Sequence, residues 1–352
     1  MNVPVFDGHN DLLLKLWRAK PEDRDRIWLE GDGQGHLDLP RMIKGGFAGG
    51  FFAIYIPSPS DGLDHDALMD TPPYDFALPE MIGVDAAQPV AMAMAGILMR
   101  MERVAAGRFK IVRSVAEIRE CMAQGVIAAI MHIEGAEAIG SDLDALYAFH
   151  AMGLRSVGPV WSRPTLFGHG VPFRYPGTPD TGDGLTETGK AFVKACNELK
   201  IMVDLSHLNE KGFDDVAAIS DAPLVATHSN AHALCASTRN LTDRQLAVIR
   251  ETGGMVGLNY ATVFLREDGR RSEDMTWEPM LRHLDHLIEK VGEDGVGLGS
   301  DFDGAQVPAP LGDVTGLPAF QQAMAEHQYG EDLIRKLSHG NWLRVLERTW
   351  GA

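Results

Sequence analysis

The feature that most constrains this chain is a repeated alternation. Short apolar runs, rich in Gly and Val and ending in polar residues, are each followed by a segment of helical spacing. Eight such runs stand at residues 3–11, 46–57, 126–136, 154–161, 201–207, 223–230, 254–260 and 296–304. Several are almost continuously apolar, as strands buried on both faces must be. Helical spacing fills residues 84–106, 143–152, 186–199, 211–219, 244–251, 280–291 and 333–346. Start signals agree: Asp38 ahead of Pro40, Thr186 before an acidic first turn, and Thr242 with Asp243. Gly45-Gly46 and Gly253-Gly254 act as stops. Eight strands alternating with helices fit a (β/α)8 barrel or a doubly wound sheet, and the count favours the barrel. No repeat, low-complexity tract or linker divides the chain, so residues 1–352 read as a single barrel domain. The Gly/Pro-rich stretch 162–184 reads as a long loop after the fourth strand, where barrel specificity resides.

Charge and cysteine usage narrow the function classes. Lys and Arg number 32 against 49 Asp and Glu, a net charge of −17, which argues against nucleic acid as a partner. Apolar stretches are broken well short of the ~20 residues of a membrane span. The opening MNVPVFDGHNDLLL lacks the charged and apolar regions of a signal peptide. Cys121, Cys196 and Cys235 form no C-x-x-C pair and cannot make a disulfide framework. A reducing, cytoplasmic setting is expected.

The informative polar residues stand at the ends of the apolar runs. His9 and Asp11 close the first; at i and i+2 they share a face. Glu134 closes the third run, His207 the fifth, His228 the sixth, and Asp301 lies at the end of the eighth. In a barrel these residues meet at one rim. Imidazole and carboxylate together suit a borderline divalent ion such as Zn²⁺. One ion takes about three or four protein ligands, so six candidates suggest two ions with a bridging carboxylate. A single strand-end His is more often a hydrogen-bonded residue than a ligand; the joint placement carries the argument.

The motifs resemble those of the membrane (renal) dipeptidase family of zinc metallopeptidases, peptidase family M19, in its bacterial form. DGHND at 7–11, HLDLPRMIKGG at 36–46 and IEGAEAI at 133–139 match in order. DLSH at 204–207, THSNA at 227–231, STRNLTD at 237–243 and GSDFDG at 299–304 complete the set. The resemblance implies a (β/α)8 TIM-like barrel of the metal-dependent amidohydrolase type. It implies two Zn²⁺ per chain, one held by His9, Asp11 and Glu134 and the other by Glu134, His207 and His228. Glu134 then bridges, and Asp301 lies close to the first metal. The implied activity is hydrolysis of dipeptides, L,D-dipeptides included, by a hydroxide bridging the two ions. Asp301 moves the proton, and Arg239 binds the substrate carboxylate. A homodimer is implied by the relatives. The alternative is a related amidohydrolase acting on a cyclic amide, lactam or ester. Relatives of that kind often bridge their metals with a carboxylated lysine, and no lysine ends any of these runs.

One position departs from the family. Animal members carry a histidine at the end of the fourth strand, and Trp161 stands there here. His169 and Arg163, in the same loop, are candidates to reach the substrate instead. Elsewhere, His132 is expected as a satisfied interior histidine or a support for Glu134. Asp303 is expected either to support the site or to cap a loop. Asn259 and Tyr260 are candidates to line the pocket or pack the rim. His283 and His286 are expected in solvent, and Met92, Met94, Met99 and Met101 in core or a subunit contact.

Overall fold

The computed structural model describes residues 3–351. Its strands are β1 (Val5–Asn10), β2 (Phe47–Tyr55), β3 (Tyr74–Asp75), β4 (Phe109–Ile111), β5 (Ile127–Glu134) and β6 (Leu154–Gly158). β7 (Arg174–Tyr175), β8 (Met202–Val203), β9 (Val225–Ala226), β10 (Met255–Asn259) and β11 (Val296–Gly299) follow. All eight expected strands are present, as β1, β2, β5, β6, β8, β9, β10 and β11. They pair in parallel in the order β8-β6-β5-β2-β1-β11-β10-β9. Between β8 and β9 the curve is closed by an Asp204–Val225 bridge, with the Leu205 N–H donating to Val225 O at 2.8 Å. The result is a nearly closed parallel barrel with helices outside.

Three short strands escaped the sequence pattern. β4 pairs with the first part of β5, and β3 pairs antiparallel with β7 apart from the barrel. Helices Leu12–Arg18, Arg24–Glu30, Val115–Gln124 and Leu317–Glu326 were likewise not foreseen. The expected helix 333–346 is present as Glu331–Arg335 and Asn341–Trp350 joined by a π turn at Lys336–Gly340.

The barrel has two apolar layers. Strand faces that point outward pack on the helices in one large cluster. Inside, Phe6, Phe51, Ala128, Ile130, Met202, Val225 and Met255 meet Trp342 of the last helix, which plugs one end. Trp342 Nε1 donates to Leu298 O at 3.0 Å, so the plug is also hydrogen-bonded. The interior is tight. A Cβ on Gly8, Gly257 or Gly299 would fall 2.3, 2.0 or 2.0 Å from Thr227 O, so these positions admit only glycine. His283 corrects an expectation. It is buried, not solvated; its Nδ1 accepts from Ala231 N–H and its Nε2 donates to Leu265 O, each at 3.1 Å.

Candidate active site

The polar strand ends converge as the barrel requires. His9 lies near the end of β1, Asp11 immediately precedes the following helix without a side-chain capping bond, and Glu134 is the last residue of β5. His207, His228 and Asp301 stand just beyond β8, β9 and β11. His207 and Asp301 both have positive φ, +66° and +59°, a strained backbone that turns each side chain inward. All the residues named except Asp301 are buried.

Glu134 is the centre of the cluster. Its Oε1 lies 3.0 Å from His207 Nε2 and 3.2 Å from His228 Nε2. Its Oε2 lies 3.7 Å from His9 Nε2, and that nitrogen is 3.3 Å from Asp11 Oδ2. The atoms of His9, Glu134 and His228, and those of His9, Asp11 and Asp301, form two sets with metal-ligand spacing. These two sets share His9 rather than Glu134, the residue expected to be common to both ions, and neither includes His207.

The electrostatics favour a cation between them. Burial holds His207 and His228 well below the ordinary histidine range, with Arg239 and His9 opposing their charge as well. Both are therefore neutral. Each Nδ1 is engaged by a hydroxyl, Ser162 Oγ for His207 and Thr227 Oγ1 for His228, both at 2.8 Å. The two Nε2 atoms are left facing each other at 3.2 Å and facing a carboxylate oxygen. Burial pushes Glu134 upward as a carboxylic acid, as Asp11 and Asp301 do; burial also raises Asp301. Lone pairs and carboxylates gathered in a dry site are costly unless protons or cations neutralise them. Imidazole nitrogens and carboxylate oxygens in this number suit divalent zinc.

Supports surround the cluster. Asn259 Nδ2 donates to Asp301 Oδ2 at 2.9 Å, so Asn259 orients Asp301. Tyr260 turns away and packs on Phe302 and Phe320. Asp7 ties β1 to the Asp301 segment by accepting from Ser300 N and Oγ at 2.6 and 2.8 Å. A Cβ on Gly304 would meet Asp11 Oδ2 at 2.1 Å and Asp301 Oδ1 at 2.5 Å, so only glycine leaves these oxygens room.

Asp11, Glu134, His207 and Asp301 line a cavity of about 250 Å³, with Tyr55, Trp161, Phe173 and Phe264 as its aromatic wall. Trp161 is therefore in the pocket, 5.7 Å from the His207 ring. Arg163 does not reach it. Its guanidinium is wholly buried on Glu137 at 2.7 Å and also donates to Ser58 Oγ and Ile56 O. His169 is outside the lining as well. Asp303 ties down a loop, accepting from His36 N and donating its own N–H to His36 Nδ1. His132 lies inside the barrel with Nδ1 2.9 Å from Ser156 Oγ. Arg239 is buried beside the site, donating to His228 O at 3.1 Å, with Nε free of any partner. Its guanidinium lies 5.4 Å from the Phe264 ring centroid.

The family model described as membrane dipeptidase, peptidase family M19, matches residues 1–350. A metallo peptidase from Rhodobacter sphaeroides, solved with a phosphinate mimic of the dipeptide L-Ala-D-Ala, is 68% identical with a TM-score of 0.98. The match covers 99% of this chain and 100% of that one. A second solved structure, described as dipeptidase AC of family M19, gives the same identity and TM-score over 100% of both chains. A Klebsiella pneumoniae protein known only as uncharacterized, in the pqqA 5' region, is 48% identical over 254 residues, 72% of this chain and 94% of its own length.

Proposed function

The chain belongs to the membrane dipeptidase family, peptidase family M19, and is a dipeptidase of metallopeptidase type; from that premise we propose that it cleaves free dipeptides, L,D-dipeptides included, with two zinc ions. His9, Asp11 and Glu134 would hold one ion and Glu134, His207 and His228 the other, with Asp301 beside the first. The observation that carries this reading is the dry cluster of three imidazole Nε2 atoms set around both oxygens of Glu134, at 3.7 Å for His9, 3.0 Å for His207 and 3.2 Å for His228. Zinc, when bound, lowers the pKa of water toward ~7 and stabilises negative charge on a carbonyl oxygen.

The chain's own groups supply the rest. Asp301, raised by burial, accepts a proton from the attacking water and passes it to the leaving amine. Asn259 holds one Asp301 oxygen, which leaves the other for that transfer. Arg239 offers a forked, charged partner for the free C-terminal carboxylate, which a longer peptide would place elsewhere. Tyr55, Trp161, Phe173 and Phe264 exclude water, which strengthens these interactions. The R. sphaeroides relative's phosphinate ligand supports a dipeptide of L,D form.

We also propose that the whole chain acts as one domain and works in the cytoplasm, since its cysteines are free and buried. Among the described residues no helix is long and apolar enough to cross a membrane. Metal analysis after zinc reconstitution tests the centre: about two zinc ions per chain are expected, and one or none contradicts the two-ion reading.

A further inference from the structure

We propose that Asp204 is a positioning residue that, through the Thr227 hydroxyl, fixes His228 as the tautomer carrying its proton on Nδ1. The inference rests on the metal-site reading above. Asp204 directly follows β8 and is buried. Its Oδ1 accepts from Ser206 N at 3.0 Å and from Thr227 N at 2.8 Å. These two bonds aim Oδ2 at the Thr227 hydroxyl, which donates to it at 2.6 Å.

Proton counting gives the consequence. A hydroxyl has one proton and accepts with its lone pairs. With that proton committed to the carboxylate, Thr227 Oγ1 can only accept from His228 Nδ1, 2.8 Å away. His228 must then carry Nδ1–H and present a bare Nε2, which lies 3.2 Å from Glu134 Oε1. Ser206 Oγ, 3.5 Å from Thr227 Oγ1, is the more distant acceptor and is uncharged. It is occupied by the His228 backbone N–H at 3.1 Å. His207 has no such relay. Its Nδ1 meets Ser162 Oγ, and among the described residues no carboxylate lies within hydrogen-bonding distance of that hydroxyl. One imidazole is set by a carboxylate–hydroxyl chain; the other has a hydroxyl alone.

The test reads tautomers and metal affinity, not turnover. Long-range ¹⁵N–¹H correlation spectra of the metal-free protein should show His228 as the Nδ1–H form. An Nε2–H form, or an even mixture, overturns the proposal without any variant being made. Asp204→Asn and Thr227→Val should lower zinc affinity at one of two sites by about 10–100-fold in chelator competition. Thr227→Ser should restore it, and Ser162→Ala should leave the His228 tautomer unchanged. Wild-type affinity in both Asp204→Asn and Thr227→Val overturns the proposal. A wild-type protein that takes up no zinc overturns the metal reading instead, while the metal-free spectrum still decides this one.

Discussion

The two sides of the barrel mouth reach the same end by different means. On the side of β1, β2 and β5, long strands set the candidate ligands. β2 and β5 hold register over seven residue pairs, ending at Tyr55 and Glu134. At the seam, β8 and β9 are two residues each, and a single bridge joins them. There His207 and His228 are fixed by side chains: Ser162, Thr227, Ser206 and Asp204. Where the backbone ladder is long, the strand aims the site residue. Where it is short, hydroxyls and a carboxylate must.

Substitutions on either side of the mouth test that contrast. The largest effect is expected from Glu134→Gln, because Glu134 touches both sides. It should lose both ions and more than about 10³-fold in kcat, beyond the ~10²–10³ cost of one electrostatic stabiliser. Circular dichroism should stay native, and retained turnover would refute a shared bridge. Asp301→Asn acts on the long-strand side alone. It should cost about 10²–10⁴-fold in kcat, while metal analysis still finds the ion at the seam histidines. Arg239→Lys loses the fork on the seam side. A drop of about 10–100-fold in kcat/KM on free dipeptides is expected from hydrogen bonds to charge worth ~1.5–3 kcal/mol.

The smallest effect concerns a brace of the seam. His283 holds the loop after β9 through Ala231 N–H. Burial lowers its pKa to about 3. Its folded value lies below its unfolded value, so the unfolded chain binds the extra proton. Its contribution to stability is complete above about pH 6.5 and declines as pH falls toward 3. Relative to His283→Gln, wild-type stability should therefore fall more steeply on acidification, by up to ~1.4 kcal/mol per pH unit. Parallel pH curves from denaturant unfolding would contradict this.

The same contrast explains what the sequence discloses. Eight buried strands show themselves as apolar runs because both faces are covered. The six candidate ligands follow because each ends a run. The helix at Val115–Gln124 was missed although Ser114 caps it by accepting from Glu117 N. Val115, Ile118 and Cys121, all buried, recur at helical spacing, so its start cap and its apolar face are both legible in the residues. β3 and β7 are two residues each, lie apart from the barrel and exist through pairing with distant chain. His283 carried a signal that went unused, since it shares a helical stripe with Met280, Leu284 and Leu287, all buried. Arg163 drew notice as a charge near the pocket, yet its fate depends on Glu137, 26 residues away. The Asp204–Thr227–His228 chain spans a gap that spacing cannot reveal, because one link crosses between strands.

We propose that free dipeptides are cleaved at a metal cluster beside a carboxylate clamp. The most direct measurement compares L,L- and L,D-dipeptides with their C-terminal amides and matched tripeptides, using zinc-reconstituted protein with and without chelator. Rapid cleavage confined to the free dipeptides, and abolished by the chelator, is the expected result. Equal cleavage of the amides, or turnover that survives complete metal removal, would contradict the account.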